Sequence, residues 1–320
     1  MRIIVNRAVL AALAISAALT VSACGSTASG GAPSSNGAAG TGDQSPIPVV
    51  TSTNVWGDIA RQVGGDQVAV TALIVDPAAD PHSFEPNAQA QLALSKASLV
   101  VENGGGYDDF MQNLTHAAGL SAPVITAVEL FGADADGAAP SGPAGQAPSN
   151  EHVWYDFPTV DAVATKIAGE LTTIAPAQAA HFQANLSAFT DKLAGLTSKL
   201  GAIKAAHDGA PVAITEPVPL YLTQAAGLVN KTPPAFSAAI EEGTDVPPTV
   251  LSDTLALFTG AQVVALVYNE QTSSPETEKL LSAAKDNGVP AVGVTETLPA
   301  GADYLSWMDA NITALKAALG

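Results

Sequence analysis

From Pro176 to about Ala206 an apolar residue returns every three or four positions, as Phe182, Leu186, Phe189, Leu193, Leu196, Leu200 and Ile203. That spacing puts all seven on one face of a helix. Pro176 is suited to the first helical turn, since its missing N–H would have no intrahelical partner there. About thirty residues at ~1.5 Å each make a rod on the order of 45 Å long, enough to run beside two domains. The expectation is a rigid helical connector between two lobes, as opposed to a long surface helix within one.

On either side of this rod, short β-branched runs alternate with helix-like segments, the pattern of parallel sheets with crossover helices. Before it, strands are expected at residues 49–53, 68–74, 98–102 and 123–126, with helices at 55–63, 88–96 and 108–118. After it, strands are expected at 212–215, 263–269 and 291–295, with helices at 218–226, 249–259, 275–287 and 304–319. The fold class is therefore α/β, as two lobes with mostly parallel sheets joined by one long helix. The lobes are assigned to residues 47–158 and 208–320, and the helical connector to 159–207.

The N-terminal segment reads differently. Arg2 and Arg7 precede an apolar run over residues 8–21, shorter than the ~20 residues of a spanning helix, and small residues then lead to Cys24, the one cysteine present. This resembles a bacterial lipobox, so residues 1–23 are expected to be removed as a signal and Cys24 to carry the lipid. A tract of Gly, Ser, Ala, Thr and Pro follows to residue 46 and reads as a tether. The implied location is the extracytoplasmic side of the cell membrane, lipid-anchored. A net charge of −18 repels nucleic acid and draws cations, while 13% charged and 47% hydrophobic residues argue for a folded body.

Four places carry candidate chemistry. Asp80-Pro81-His82-Ser83-Phe84-Glu85-Pro86 follows the second expected strand, at the carboxyl end where ligands gather in open α/β sheets, and two prolines stiffen the backbone around one imidazole. Glu151-His152-Val153-Trp154-Tyr155-Asp156 closes a Gly-, Ala- and Pro-rich loop over residues 132–150 and leads into a helix. Glu216 ends the strand at 212–215, and Glu270 ends the strand at 263–269. His116, His181 and His207 fall in or at the ends of expected helices and read as surface residues. Two imidazoles with one or two carboxylates suit zinc, manganese or ferrous iron better than calcium or magnesium. Because the candidates come from both halves, the ion is expected in the cleft between lobes.

With these residues in view, the chain resembles the metal-binding receptors of zinc and manganese ABC importers, from about Val49 to the C-terminus. The resemblance is carried by Asp80-Pro81-His82-x-Phe84-Glu85-Pro86, His152-x-Trp154, the long helix, and Thr215-Glu216-Pro217-Val218 with Tyr221. It implies that His82, His152 and Glu216 bind one Zn2+ or Mn2+ and that a membrane permease with its cytoplasmic ATPase receives it; by resemblance two histidines with one glutamate lean toward manganese, while affinity at such sites generally runs higher for zinc, which is the preferred ion. It also implies limited domain motion, and a monomer is expected. The family often supplies an aspartate beyond the strand ending here at Asn269; Thr272-Ser273-Ser274-Pro275 offers none, so Glu270 is the substitute, with Gln271, Asp245 or water as alternatives. The loop 132–150 holds Asp134 and Asp136 but lacks the histidines of a metal-collecting loop. No His-Glu-x-x-His, Gly-x-Ser-x-Gly or P-loop pattern supports an enzyme. The competing reading is a surface adhesin stabilised by metal.

Overall fold

The computed structural model describes residues 45–76, 79, 81–132 and 150–320. Cys24 with its signal and tether, Asp80, and the loop residues 133–149 lie outside the described residues. Residues 45–320 form one compact unit.

The first half lays down β1 (Ile47–Thr53), α1 (Asn54–Gly64), β2 (Val68–Ile74), α2 (Ala88–Leu94), β3 (Leu99–Glu102), α3 (Phe110–Ala118) and β4 (Val124–Thr126). Its four strands are parallel in the order β2-β1-β3-β4. The central strand β3, Leu-Val-Val-Glu, is buried throughout, as a run without polar alternation must be when helices cover both faces of a parallel sheet. The chain next forms α4 (Phe157–Ile174), begun by Asp156, whose side chain accepts from the Thr159 N–H, and then α5 (Ala179–His207). Pro176 opens a short 3₁₀ turn just before α5. At 29 residues α5 is ~44 Å long. Its buried residues are the seven of the apolar stripe.

The second half repeats the plan with β5 (Pro211–Ile214), α6 (Leu220–Ala225), β6 (Val229–Asn230), α7 (Pro234–Glu241), α8 (Pro248–Thr259), β7 (Ala265–Asn269), α9 (Pro275–Asp286), β8 (Ala291–Val294) and α10 (Tyr304–Leu319). The order β6-β5-β7-β8 is again all parallel. Two elements had no counterpart in the sequence reading. β6 is only two residues long, and α7 is an eight-residue helix started by Pro233 and Pro234, too short to show helical periodicity.

In both sheets the chain reverses its direction of travel beside the first strand of the sheet. A crevice therefore opens at the carboxyl ends of β1 and β3 in one lobe and of β5 and β7 in the other. One apolar core runs from the inner face of the first sheet through α1, α4 and α5 to the inner face of the second and α10. Two smaller cores cover the outer faces, α2 and α3 on the first sheet and α7, α8 and α9 on the second. Polar clamps tie the halves together. The Asn54 side chain accepts from the Leu298 N–H at 3.0 Å and donates to the Leu298 carbonyl at 3.1 Å. Asp58 accepts from the Tyr304 N–H at 2.8 Å, the Tyr304 hydroxyl donates to the Trp154 carbonyl at 2.7 Å, and that of Tyr155 donates to the Thr295 carbonyl at 2.7 Å. Core and clamps thus run continuously across both lobes.

Candidate metal centre

Between the two crevices lies a cleft of ≈ 870 Å³, lined by His82, Glu151, Glu216, Glu241 and Glu296 among others. No lysine or arginine is among its lining residues. His82 sits on a 3₁₀ turn, Pro81–Ser83, beyond the carboxyl end of β2, with its ring edge-on to Tyr107 at 5.3 Å between centroids. It is the more exposed imidazole, at 36%.

His152 is set from the connecting segment, just ahead of the turn Val153–Tyr155, and its side chain is 0% exposed. Tyr107 and Trp154 pack edge-on to its ring and lie tilted against each other. Its tautomer follows from its partner. Nδ1 lies 2.6 Å from the Asn150 side-chain oxygen, which can only accept, so Nδ1 carries the proton. The orientation of that amide is set in turn by its nitrogen, which donates to the Pro217 carbonyl at 3.1 Å, while the Tyr221 hydroxyl donates to the Asn150 carbonyl. Nε2 is left with a bare lone pair, buried, without a hydrogen bond, and turned to the cleft. Burial, with His82 nearby, lowers the His152 pKa from 6.5 to about 3, so the ring is neutral at any ordinary pH.

The carboxylates come from the second half, apart from Glu151. Glu216 lies two residues beyond β5 and is buried, with Oε2 lacking a hydrogen bond; burial pushes its pKa up to about 7, partly offset by hydrogen bonds from Thr272 and Asn269. Glu296 lies two residues beyond β8, with Oε2 4.0 Å from His152 Nε2 and Oε1 accepting from the Asn269 amide at 2.7 Å. Glu241, the last residue of α7, brings Oε1 to 3.3 Å from His152 Nε2 and 3.9 Å from His82 Nε2. Its pKa rises to about 9, first through burial and then through the charges of Glu296, Glu216 and Glu151. Glu151 Oε1 is 3.7 Å from His82 Nε2. One ligand atom each from His82, Glu151 and Glu241 lies within 4.8 Å of the others.

Of the residues singled out in the sequence, His82, His152 and Glu216 thus face one cleft. Glu270 does not, which corrects its assignment as fourth ligand. Side chains alternate along a strand, and Asn269 takes the inward position, leaving Glu270 exposed on the far side, over Gly293 and 3.4 Å from the Tyr268 hydroxyl. Gln271 is a positioning residue: its oxygen accepts from the N–H groups of Glu296 and Thr297, and its nitrogen donates to the Thr297 hydroxyl, which orients the Glu296 turn. Asp245 and His116 are exposed, His181 and His207 are half-buried, and none of the four is in the cleft lining. The sequence reading missed Glu296 and Glu241. Glu296 had a signal, a carboxylate just past an expected strand end; Glu241 had none, because α7 itself was not foreseen.

Comparison with known proteins agrees with this architecture. The family described as "Zinc-uptake complex component A periplasmic" matches residues 49–318. The metal ABC transporter substrate-binding lipoprotein FimA of Streptococcus parasanguinis is 26% identical over 263 residues, 78% of this chain and 80% of that one. A crystal structure of a zinc-bound ZnuA deletion mutant superposes with a TM-score of 0.69 at 23% identity, over 86% of this chain and 99% of that one. The Mn-bound S38A mutant of a periplasmic metal-binding protein from Candidatus Liberibacter asiaticus superposes at 0.68 and 18% identity, over 86% and 100%. Matched from Val49 to Ala318, and sharing the two-lobed fold of these structures, the chain belongs to the zinc-uptake component A family of metal-binding receptors, which serve ABC importers and are not enzymes.

Proposed function

We propose that this receptor captures one divalent transition metal in the cleft, through His82 Nε2, His152 Nε2, Glu216 and Glu296, and passes it to a permease driven by a cytoplasmic ATPase. The observation that carries the reading is the His152 lone pair, buried and without a hydrogen bond, facing carboxylates that have no basic side chain among the cleft lining to balance them. A buried polar atom left unpaired costs about 1–3 kcal/mol, and crowded carboxylates repel; a bound cation relieves both. Zinc is the preferred ion, because affinity at nitrogen and oxygen sites generally runs higher for zinc than for manganese. The protein works as a monomer, anchored through lipidated Cys24 on the extracytoplasmic face. Relatives named as lipoproteins support the anchor, and no helix among the described residues is long and apolar enough to cross a membrane.

The test is calorimetry with zinc and manganese on a soluble form beginning at Gln44. One ion per chain is expected, with affinity lower by orders of magnitude in His82→Ala and His152→Ala. Unchanged metal content in both variants would sink the assignment. Reversible removal by a chelator with the fold intact is expected of a receptor; unfolding on chelation would favour the adhesin with a structural ion instead.

A further inference from the structure

Glu241 is close enough to the imidazoles to do more than add negative charge to the cleft. Two atoms bound to one ion at ~2.1 Å each, at angles between octahedral and tetrahedral, lie about 3.0–3.4 Å apart. Glu241 Oε1 stands 3.3 Å from His152 Nε2, inside that range, and 3.9 Å from His82 Nε2, a few tenths beyond it. The His152 contact is too long for a good O–H···N hydrogen bond, and Nε2 makes none. A second, independent observation points the same way: the His152 nitrogen is fully buried and aimed at this carboxylate, with its tautomer set from behind by Asn150.

From this geometry we propose that Glu241 is itself a ligand of the captured ion, raising the number of available protein donors above four and thereby narrowing the site's preference for zinc over manganese. The inference rests on the receptor reading above and deepens it. His82, His152, Glu216 and Glu296 already complete the four donors that zinc ordinarily takes. A further carboxylate has little to offer a four-coordinate ion, whereas manganese, a harder ion that suits carboxylate oxygens and octahedral surroundings, can use it. Placement at the end of an eight-residue helix gives the side chain a defined origin, its Oε2 makes no hydrogen bond, and its carboxyl group is hydrogen-bonded to Glu151, another residue of the cleft.

The experiment compares zinc and manganese binding to the wild-type protein, Glu241→Gln and Glu241→Ala by competition calorimetry, with electron paramagnetic resonance of the manganese-loaded forms. The expected result is a loss of about tenfold or more for manganese and about threefold or less for zinc, with an altered manganese spectrum. Equal losses for both ions with an unchanged spectrum would overturn the proposal, since they describe a distant charge; so would unchanged affinities. Thermal unfolding of the metal-free variants identifies a folding defect. Should Glu241→Ala melt early, Glu241→Gln, which keeps the shape, decides alone. If wild type binds neither ion, the receptor reading itself fails; if wild type binds and His152→Ala does not while both Glu241 variants bind normally, only this inference does.

Discussion

The two lobes share a strand order and contribute opposite chemistry. The first lobe and the segment leading from it supply the imidazoles, His82 and His152, together with Glu151; the second supplies Glu216, Glu241 and Glu296. Neither half offers a complete transition-metal site. The imidazoles with Glu151 alone would balance only part of a divalent ion's charge, and the carboxylates of the second lobe alone would form a harder, all-oxygen site. The difference teaches that selectivity here is a property of the lobe interface. On the proposed donor set, that interface would have to hold donors from both sides in place, and α5 and the clamps at Asn54, Asp58 and Tyr304 join the two lobes beside it.

The comparison breaks most severely at the shared core. Phe189, midway along α5, is 2% exposed and packs beside Tyr304 of α10, so Phe189→Ala is expected to cost about 3–5 kcal/mol in thermal or denaturant unfolding. Both lobes should unfold in one transition; two separated transitions would mean that the halves are independent after all. Next is the support behind the buried imidazole. Asn150→Ala removes the acceptor that sets the His152 tautomer and is expected to weaken zinc binding about 10–100-fold by calorimetry, with the metal-free melting temperature changing much less than in Phe189→Ala. An unchanged zinc affinity would show that the ring is oriented by packing alone.

The nitrogen and oxygen halves should also respond to pH in opposite directions. The folded pKa of His152 is lowered from 6.5 to about 3, so the stability linked to it is present above pH 6.5 and is lost as pH falls toward 3. For Glu216, raised from 4.5 to about 7, and Glu241, raised from 4.5 to about 9, the stability is present below pH 4.5 and is lost as pH rises through those values. The metal-free protein should therefore lose stability between pH 6.5 and 9. A bound cation replaces the protons on these carboxylates, so the melting-temperature gain from zinc should be larger at pH 8.5 than at pH 6. Melts with chelator and with zinc at both values check this, and a smaller gain at the higher pH would contradict it. The smallest effect is reserved for Glu270→Gln. That side chain lies on the outer side of β7, and zinc affinity should stay within about twofold of wild type, since a solvent-exposed charge outside the cleft is screened.

Much of the fold is legible in the sequence because its signals are local and periodic. The α5 stripe, the β-branched runs of both sheets and the helix-starting Pro176 each declare themselves among near neighbours in the chain. His82, His152 and Glu216 could be picked out because each stands where a strand or loop hands over to a helix. Glu296 stands in the same kind of place but was passed over in favour of Glu270, a choice that strand alternation around Asn269 decides once the inward-facing partner is known. Glu241 carried no local sign at all.

Neighbours along the chain thus encode the fold class and the long helix and mark the two candidate histidines, because hydrophobic periodicity and stiffened turns are local properties. Which carboxylates meet those histidines was decided only by tertiary structure. His152 and Glu241 are 3.3 Å apart in space although a long helix and half a sheet separate them in sequence. Such a contact depends on how two lobes pack across a shared core, and no spacing along the chain encodes that distance.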